Sequence, residues 1–326
     1  MVTISSARGR DAARYALAAL TARRSRHSRR PAGLVLLHHD VAAASEDPRG
    51  LLTPALGVDV LREQLRHLVS HYRVVSLSEL TELLKAAPRG PGLPVALTFD
   101  DDLTSHHELV APLLTELGLP ATFFLTGTTL ERRSPFWWHD LQQLFRAGGE
   151  AWDGVCAEVE HRWGAPRVPL ALGQVATTIE ASPPAVRDPL IERLRALAAS
   201  LPSEAGLPAG AVRDLVGAGF EIGFHTRAHY QLQTLSDGEL DDAMRDGRQR
   251  LTEATGLPLT KIAYPHGGAD LRVAAAAAAA GFESGFTVRN APVLPDADPL
   301  LVPRVDSRMP ASRLALTLAQ LGADAA

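Results

Sequence analysis

The chain has one cysteine, Cys156, in 326 residues. A lone thiol excludes an intrachain disulfide and any cysteine-based zinc finger, and it leaves the redox compartment open. Lysine is nearly as scarce, with only Lys85 and Lys261. Lysine-based covalent chemistry is therefore confined to two places, and neither carries a motif. Long apolar runs are missing too. A membrane-crossing helix needs roughly eighteen or more apolar residues. The longest weakly apolar run here is the alanine block 274–280. No membrane span is expected.

What is present is ordinary globular composition, 46% hydrophobic and 21% charged. That excludes wholesale disorder and a coiled coil. The length fits one large α/β barrel with an insertion as well as it fits two domains. The net charge of −4 hides a split. Residues 1–30 hold eight arginines and one aspartate, a balance of +7, so the rest carries −11. The body is no nucleic-acid binder by charge. The basic arm, residues 1–31, is not a good signal peptide. Its apolar stretch, Tyr15 to Ala22, is short, alanine-rich and followed by Arg23 and Arg24 rather than a cleavage site. Two readings of the arm stay open: a frayed or helical tail, or a contact with anionic lipid or a partner. The missing export signal favours a cytoplasmic location.

Strand and helix signals alternate along the chain. Leu34–Leu37, Tyr72–Leu77, Val95–Phe99 and Ala121–Thr126 read as strands, with helices between them. The pattern breaks at 134–210, which holds all four tryptophans and reads as one helical insertion at the rim of the barrel mouth. It resumes with a helix from Ala211, a strand Phe220–Phe224, one long helix Asp237–Thr255, a strand from Lys261, the alanine helix and the last strands near Phe286 and Leu301–Val305. Alternation of this kind predicts parallel strands with right-handed crossovers.

The chemistry falls at strand ends, where parallel barrels build their active sites. His39, the pair Asp100 and Asp101, and His225 each close a different strand. His225 and His229 are four residues apart, which on one helical turn would place both imidazoles on one side of an ion. A carboxylate from Asp100 or Asp101 would complete a zinc-type site with open positions. Adjacent aspartates repel unless a cation or a proton compensates them.

Three stretches together carry a resemblance: Leu97-Thr98-Phe99-Asp100-Asp101, Ala121-Thr122-Phe123-Phe124-Leu125, and His225-Thr226-x-x-His229. Their order and spacing resemble the polysaccharide deacetylase family, carbohydrate esterase family 4, over about residues 32–133 and 211–308. The resemblance implies a deformed (β/α) barrel of seven or eight parallel strands, with residues 32–326 as one unit. It implies metal-dependent removal of N- or O-acetyl groups from sugars. By motif position Asp100 is the catalytic base, and Asp101, His225 and His229 hold the metal, most simply Zn2+.

The departures are informative. Asp102 stands where the family usually has glycine, and a side chain there is expected to crowd or charge the site. The usual arginine–proline motif is replaced by Ala263-Tyr264-Pro265-His266-Gly267. This resembles a branch with a Tyr-Pro-Tyr-Gly form, so Tyr264 and His266 are expected at the oxyanion or substrate. No histidine follows His266. The branch carries an early Tyr-His motif, here His38-His39-Asp40, which implies that His39 is the general acid. Arg304 matches a late arginine of the branch and could hold Asp100 ionised, or make a structural salt bridge elsewhere. His38 is expected to point toward the packed helices, and His106 and His107 to start a helix. His139, beside Trp137 and Trp138, is a candidate for the substrate cleft. The tryptophans themselves are more often core than sugar platforms. The implied activity is an N-deacetylase of an amino-sugar-containing saccharide or glycoconjugate precursor. Rival readings are a hydrolase of another carbon–nitrogen bond and an inactive glycan-binding barrel. The expected partner is an acetylated sugar and not a nucleic acid; the oligomeric state is open.

Overall fold

Two strands, Leu34–His38 and Pro94–Asp100, are buried at every position. A strand buried on both faces belongs inside a parallel sheet covered by helices. That is the architecture of this computed structural model, which describes residues 10–18, 20–21, 32–44, 52–85, 92–130, 136–164, 171–201 and 206–324.

The strands in chain order are β1 (Leu34–His38), β2 (Val41–Ala42), β3 (Leu56–Gly57), β4 (Arg73–Val75), β5 (Pro94–Asp100), β6 (Thr122–Leu125), β7 (Glu221–Phe224), β8 (Lys261–Ala263), β9 (Ser284–Phe286) and β10 (Val305–Asp306). The main sheet runs β10-β1-β5-β6-β7-β8-β9, every pair parallel, with β4 alongside the start of β5. Its two ends meet. Phe286 bridges Val302 in parallel. The Val302 N–H donates to the Gly285 carbonyl at 2.8 Å, and the Thr287 N–H to the Val302 carbonyl at 2.8 Å. The result is a seven-stranded parallel barrel with uneven strand lengths, the deformed barrel expected from the sequence. Parallel closure brings the C-terminal ends of β1, β5, β7, β8 and β10 to one mouth.

Local chemistry explains the helix boundaries. Ser76 accepts the Glu79 N–H at 3.1 Å and so caps Leu77–Lys85. Asp270 accepts the Val273 N–H at 2.9 Å and starts the alanine helix Leu271–Ala279. The long helix expected over 237–255 is two helices, Asp237–Arg245 and Arg248–Thr255. The break is Gly247, with φ +80°, a conformation glycine adopts without strain. The loop there packs against Arg227, whose Cδ would lie 3.0 Å from an added Cβ.

Between β6 and β7 four helices, Trp137–Ala147, Gly149–Trp163, Leu172–Glu180 and Pro184–Ala198, pack around a core of their own. Trp137, Trp138, Leu141, Ile179, Leu190 and Leu194 are buried there. The separate barrel core includes Leu36, Phe99, Phe123, Phe224 and Ile262. Residues 1–9, 19 and 22–31 of the basic arm, and 134–135, 165–170 and 202–205 of the expected insertion, lie outside the described residues.

Candidate active site

Asp100 is the last residue of β5 and is buried. Arg304 reaches it across the barrel from just before β10. Its Nη1 and Nη2 donate to Oδ1 and Oδ2, both at 2.7 Å. The guanidinium also donates to the Thr98 hydroxyl at 3.2 Å and to the Thr287 carbonyl at 3.3 Å. Burial pushes the Asp100 carboxyl up, but the Arg304 guanidinium, by its charge and its two hydrogen bonds, outweighs burial and holds it at about 2. Of the two uses left open for Arg304, the structure places it on Asp100.

Asp101 turns the chain sharply, with φ +81°. That conformation is strained for a residue with a Cβ. It separates the two carboxylates. Asp101 Oδ1 is buried without a hydrogen-bond partner. It lies 3.6 Å from His225 Nε2 and 3.8 Å from His229 Nε2. These spacings are too long for hydrogen bonds. Burial, with the charges of Asp100 and Asp102, drives the Asp101 carboxyl well above its ordinary range.

The histidine pair is not on a helical turn. His225 follows β7, and the chain then bends through Thr226 and His229, both with positive φ. The rings still meet, 4.9 Å apart. His225 Nδ1 lies 2.8 Å from the Ala263 carbonyl, so it carries the proton and leaves Nε2 as a bare lone pair. Burial lowers both imidazoles, which keeps them neutral, the form that ligates a metal.

This donor set fits a divalent cation. Ligands about 2.0–2.1 Å from a tetrahedral zinc are about 3.3 Å from one another. Asp101 Oδ1 stands slightly wider than that from each imidazole nitrogen, and all three donor atoms lie within 4.8 Å of one another. An orphaned carboxylate oxygen and a nitrogen lone pair converge where a cation would satisfy both.

Asp102 does not crowd this site. Its carboxylate turns to the loop after β6 and accepts the Thr126 N–H at 2.7 Å and the Thr126 hydroxyl at 2.6 Å. The Thr129 hydroxyl adds a longer bond at 3.3 Å. The third aspartate is a loop clamp. Tyr264 corrects a second expectation. Its ring is fully buried and its hydroxyl donates to the Leu300 carbonyl at 2.8 Å, so the side chain builds the wall between β8 and the last strand. His266, at φ +58°, does border the site, with its ring 4.6 Å from that of His229.

His39 follows β1 and feels the charges of Asp100, Arg308 and Arg304. Burial pushes it down to about 3 against the pull of Asp100. His38 is buried and stacks on Phe99 at 4.7 Å, with burial lowering it to about 4. His106 sits beneath His39, its Nε2 3.3 Å from the His39 carbonyl. His107 instead faces Asp214 at the surface. His139 is buried, T-shaped against Phe136 and Trp138 and under the charge of Asp40.

The insertion supplies groups that the sequence reading missed. Glu180 Oε1 lies 2.7 Å from His266 Nδ1. Arg187, buried over the Tyr230 ring, donates from Nη2 to the His229 carbonyl at 3.3 Å. The Trp138 ring is 4.8 Å from His229. Nothing local marks Glu180 or Arg187; only their packing on the histidine loops reveals them.

The sequence matches the family described as polysaccharide deacetylase over residues 88–152 and 191–285. The chain belongs to that family. The unmatched stretch between the two segments contains Glu180 and Arg187, so this deacetylase carries them outside what the family model describes. No curated protein matches the sequence. Several solved structures share the fold. A Streptococcus pyogenes deacetylase, PplD, in complex with acetate has a TM-score of 0.60 at 16% identity, covering 90% of this chain and 98% of that one. IcaB from Ammonifex degensii has a TM-score of 0.58 at 19% identity, covering 90% and 97%. A de-N-acetylase from Aggregatibacter actinomycetemcomitans has a TM-score of 0.55 at 15% identity, covering 86% and 95%.

Proposed function

We propose that this hydrolase removes an N-acetyl group from an amino-sugar-containing saccharide or glycoconjugate precursor. One observation carries the reading. An unpaired Asp101 oxygen faces two neutral imidazoles, beside a second carboxylate that Arg304 holds ionised. Asp101, His225 and His229 would hold a divalent metal ion, most simply zinc. When bound, such an ion supplies Lewis-acid polarisation and a lowered water pKa.

The chain's own residues do the rest. Asp100 accepts the proton of the attacking water. Arg304 fixes both carboxylate oxygens, so the base is aimed before substrate arrives. The backbone N–H near His266 stabilises the oxyanion. His39 gives the departing amine its proton. At rest His39 is neutral, because burial outweighs Asp100. It therefore acts as an acid only after taking the water's proton over from Asp100, which leaves Asp100 charged again beside the imidazolium, and that same proton goes to the departing amine. Trp138 and Phe136 stack at 4.2 Å and wall the His229 side. They belong to the insertion core, which supports a shaping role more than an open sugar platform.

PplD is a deacetylase in complex with acetate, and the Aggregatibacter protein is a de-N-acetylase. Both support acetyl chemistry here. The test is amine release from a panel of N-acetylated saccharides, with His39→Gln beside the wild type. His39→Gln is expected to lose amide hydrolysis by ~10²–10⁴-fold. It should keep most hydrolysis of an activated acetyl ester, whose leaving group needs no proton. Equal losses on both substrates would remove His39 from the acid role. A wild-type enzyme that binds metal yet releases no amine would favour another carbon–nitrogen bond. Glycan binding without hydrolysis of any substrate would favour an inactive barrel.

A further inference from the structure

The two histidines of the candidate metal site are oriented in different ways. The His225 ring is fixed by a hydrogen bond of its own, with Nδ1 2.8 Å from the Ala263 carbonyl. A metal-ligating imidazole normally has such a partner, which sets its tautomer and ring angle. His229 has none: its Nδ1 is buried without a hydrogen-bond partner among the described residues. Its backbone is also in the left-handed region, at φ +51°. A residue with a Cβ holds that conformation only where its surroundings enforce it. Trp138 at 4.8 Å and His266 at 4.6 Å border the ring and limit its space. The directed contact falls on the His229 backbone instead.

That contact comes from the insertion helix Pro184–Ala198. Two consecutive residues of the helix grip two consecutive residues of the loop. Arg187 Nη2 donates to the His229 carbonyl at 3.3 Å, and the guanidinium lies over the Tyr230 ring, 4.7 Å from its centroid. Asp188 accepts the Tyr230 hydroxyl at 2.6 Å. Arg187 is only 2% exposed. Its Nε and Nη1 are buried without a hydrogen-bond partner among the described residues. Unpaired donors on a buried cation cost stability, and an apolar side chain of similar shape would serve a core position better. The hydrogen bond that this costly group does make goes to the backbone of a metal ligand. We propose that Arg187 is a positioning residue for His229, fixing the ligand through its carbonyl in place of the ring bond that His225 has. Asp188 supports the grip through Tyr230. The inference rests on the reading that Asp101, His225 and His229 hold a divalent cation.

The experiment measures the zinc dissociation constant of the full chain by competition with a chromophoric chelator, beside thermal unfolding of the zinc-free protein. Arg187→Met keeps an unbranched apolar side chain and removes the donors. It is expected to bind zinc about 10–100-fold more weakly, the usual loss when a group that orients a ligand is removed. The zinc-free variant should unfold at or above the wild-type midpoint, because an unpaired buried charge has gone. A contact that only held the insertion core would give the opposite pair, a lower midpoint with unchanged zinc affinity, and that result would overturn the proposal. Tyr230→Phe guards against misfolding of the first variant, since it removes a single hydroxyl from a partly exposed residue. It is expected to weaken zinc binding about fivefold, from one lost hydrogen bond in the grip. Wild-type affinity in Arg187→Met, or in Tyr230→Phe where the first variant does not fold, would overturn the role of Arg187 alone. A wild-type chain that binds no zinc would remove the metal site itself and the proposal with it, so the two failures are told apart by the wild type.

Discussion

The barrel and the insertion reach the same histidines from opposite kinds of structure. The barrel holds its charged groups with backbone geometry. Asp100, Asp101 and His225 sit at strand ends, and the register of β5, β6 and β7 fixes their separation. The insertion holds its groups on helices with a core of their own, and it touches the site by side-chain reach, through Glu180 on His266 and Arg187 on the His229 carbonyl. Strand ends set the chemistry, because displacing one moves a buried charge. Helices laid over them adjust the surroundings, because their contacts are hydrogen bonds to the loops, one at a partly exposed rim and one from the buried Arg187.

The sharpest test of that division lies within the barrel. Asp101→Ala, His225→Ala and His229→Ala are each expected to abolish stoichiometric metal binding and with it turnover. Asp100→Asn is expected to keep the metal and lose ~10²–10⁴-fold in kcat. Metal analysis beside amine release separates the two classes. Full metal occupancy in all three alanine variants would dissolve the proposed site.

Arg304→Leu probes the buried pair. Removing one partner leaves Asp100 charged and unpaired at the barrel centre, which costs roughly 3–5 kcal/mol. It also removes the main influence lowering Asp100, so the carboxyl rises from about 2. The acid limb of kcat/KM should then move to higher pH. A variant as stable as the wild type, with an unmoved limb, would show that the pair does not set the state of the base.

Acid should strain the two regions together. Burial lowers His38, His106 and His139 to about 4, against 6.5 in the unfolded chain. Below pH 6.5 the unfolded state binds more protons, so these groups are expected to reduce stability as pH falls from 6.5 toward 4. Above pH 6.5 their effect is absent. Each contributes a slope of about 1.4 kcal/mol per pH unit. Urea unfolding across that window measures it, and a flat profile would contradict the buried neutral histidines.

The smallest effect belongs to the insertion. Glu180→Gln keeps the shape but weakens the bond to His266. We expect KM to rise about fivefold, with little change in kcat and none in metal content. A fall in kcat as large as that of Asp100→Asn would place Glu180 in the chemistry itself and erase the contrast between the regions.

Several readings changed once the chain was folded, and each change has a local cause. His225 and His229 looked like one helical turn from spacing alone; two positive-φ residues put them on a loop instead. Asp102 was expected to crowd or charge the site; its carboxylate turns to the Thr126 backbone and hydroxyl, so it acts on Asp101 through its charge and not by filling space. Tyr264 shares a motif with His266, but its hydroxyl goes to the Leu300 carbonyl. The helix over 237–255 is periodic throughout, and Gly247 divides it where the loop passes Arg227.

The sequence by itself determined the parallel barrel and its reactive residue types. Apolar runs that each end in Asp or His encode both a buried strand and what its end presents. Only the tertiary structure decided which oxygen is free and which is bound. Asp100 and Asp101 are chemically identical and adjacent, and their roles divide because the positive φ of Asp101 turns one toward the histidines and leaves the other to Arg304. That partner lies 204 residues away in the chain. Glu180 and Arg187 carry no local signal for the same reason. Their meaning is a distance to another segment, and a distance of that kind exists only after the barrel has closed.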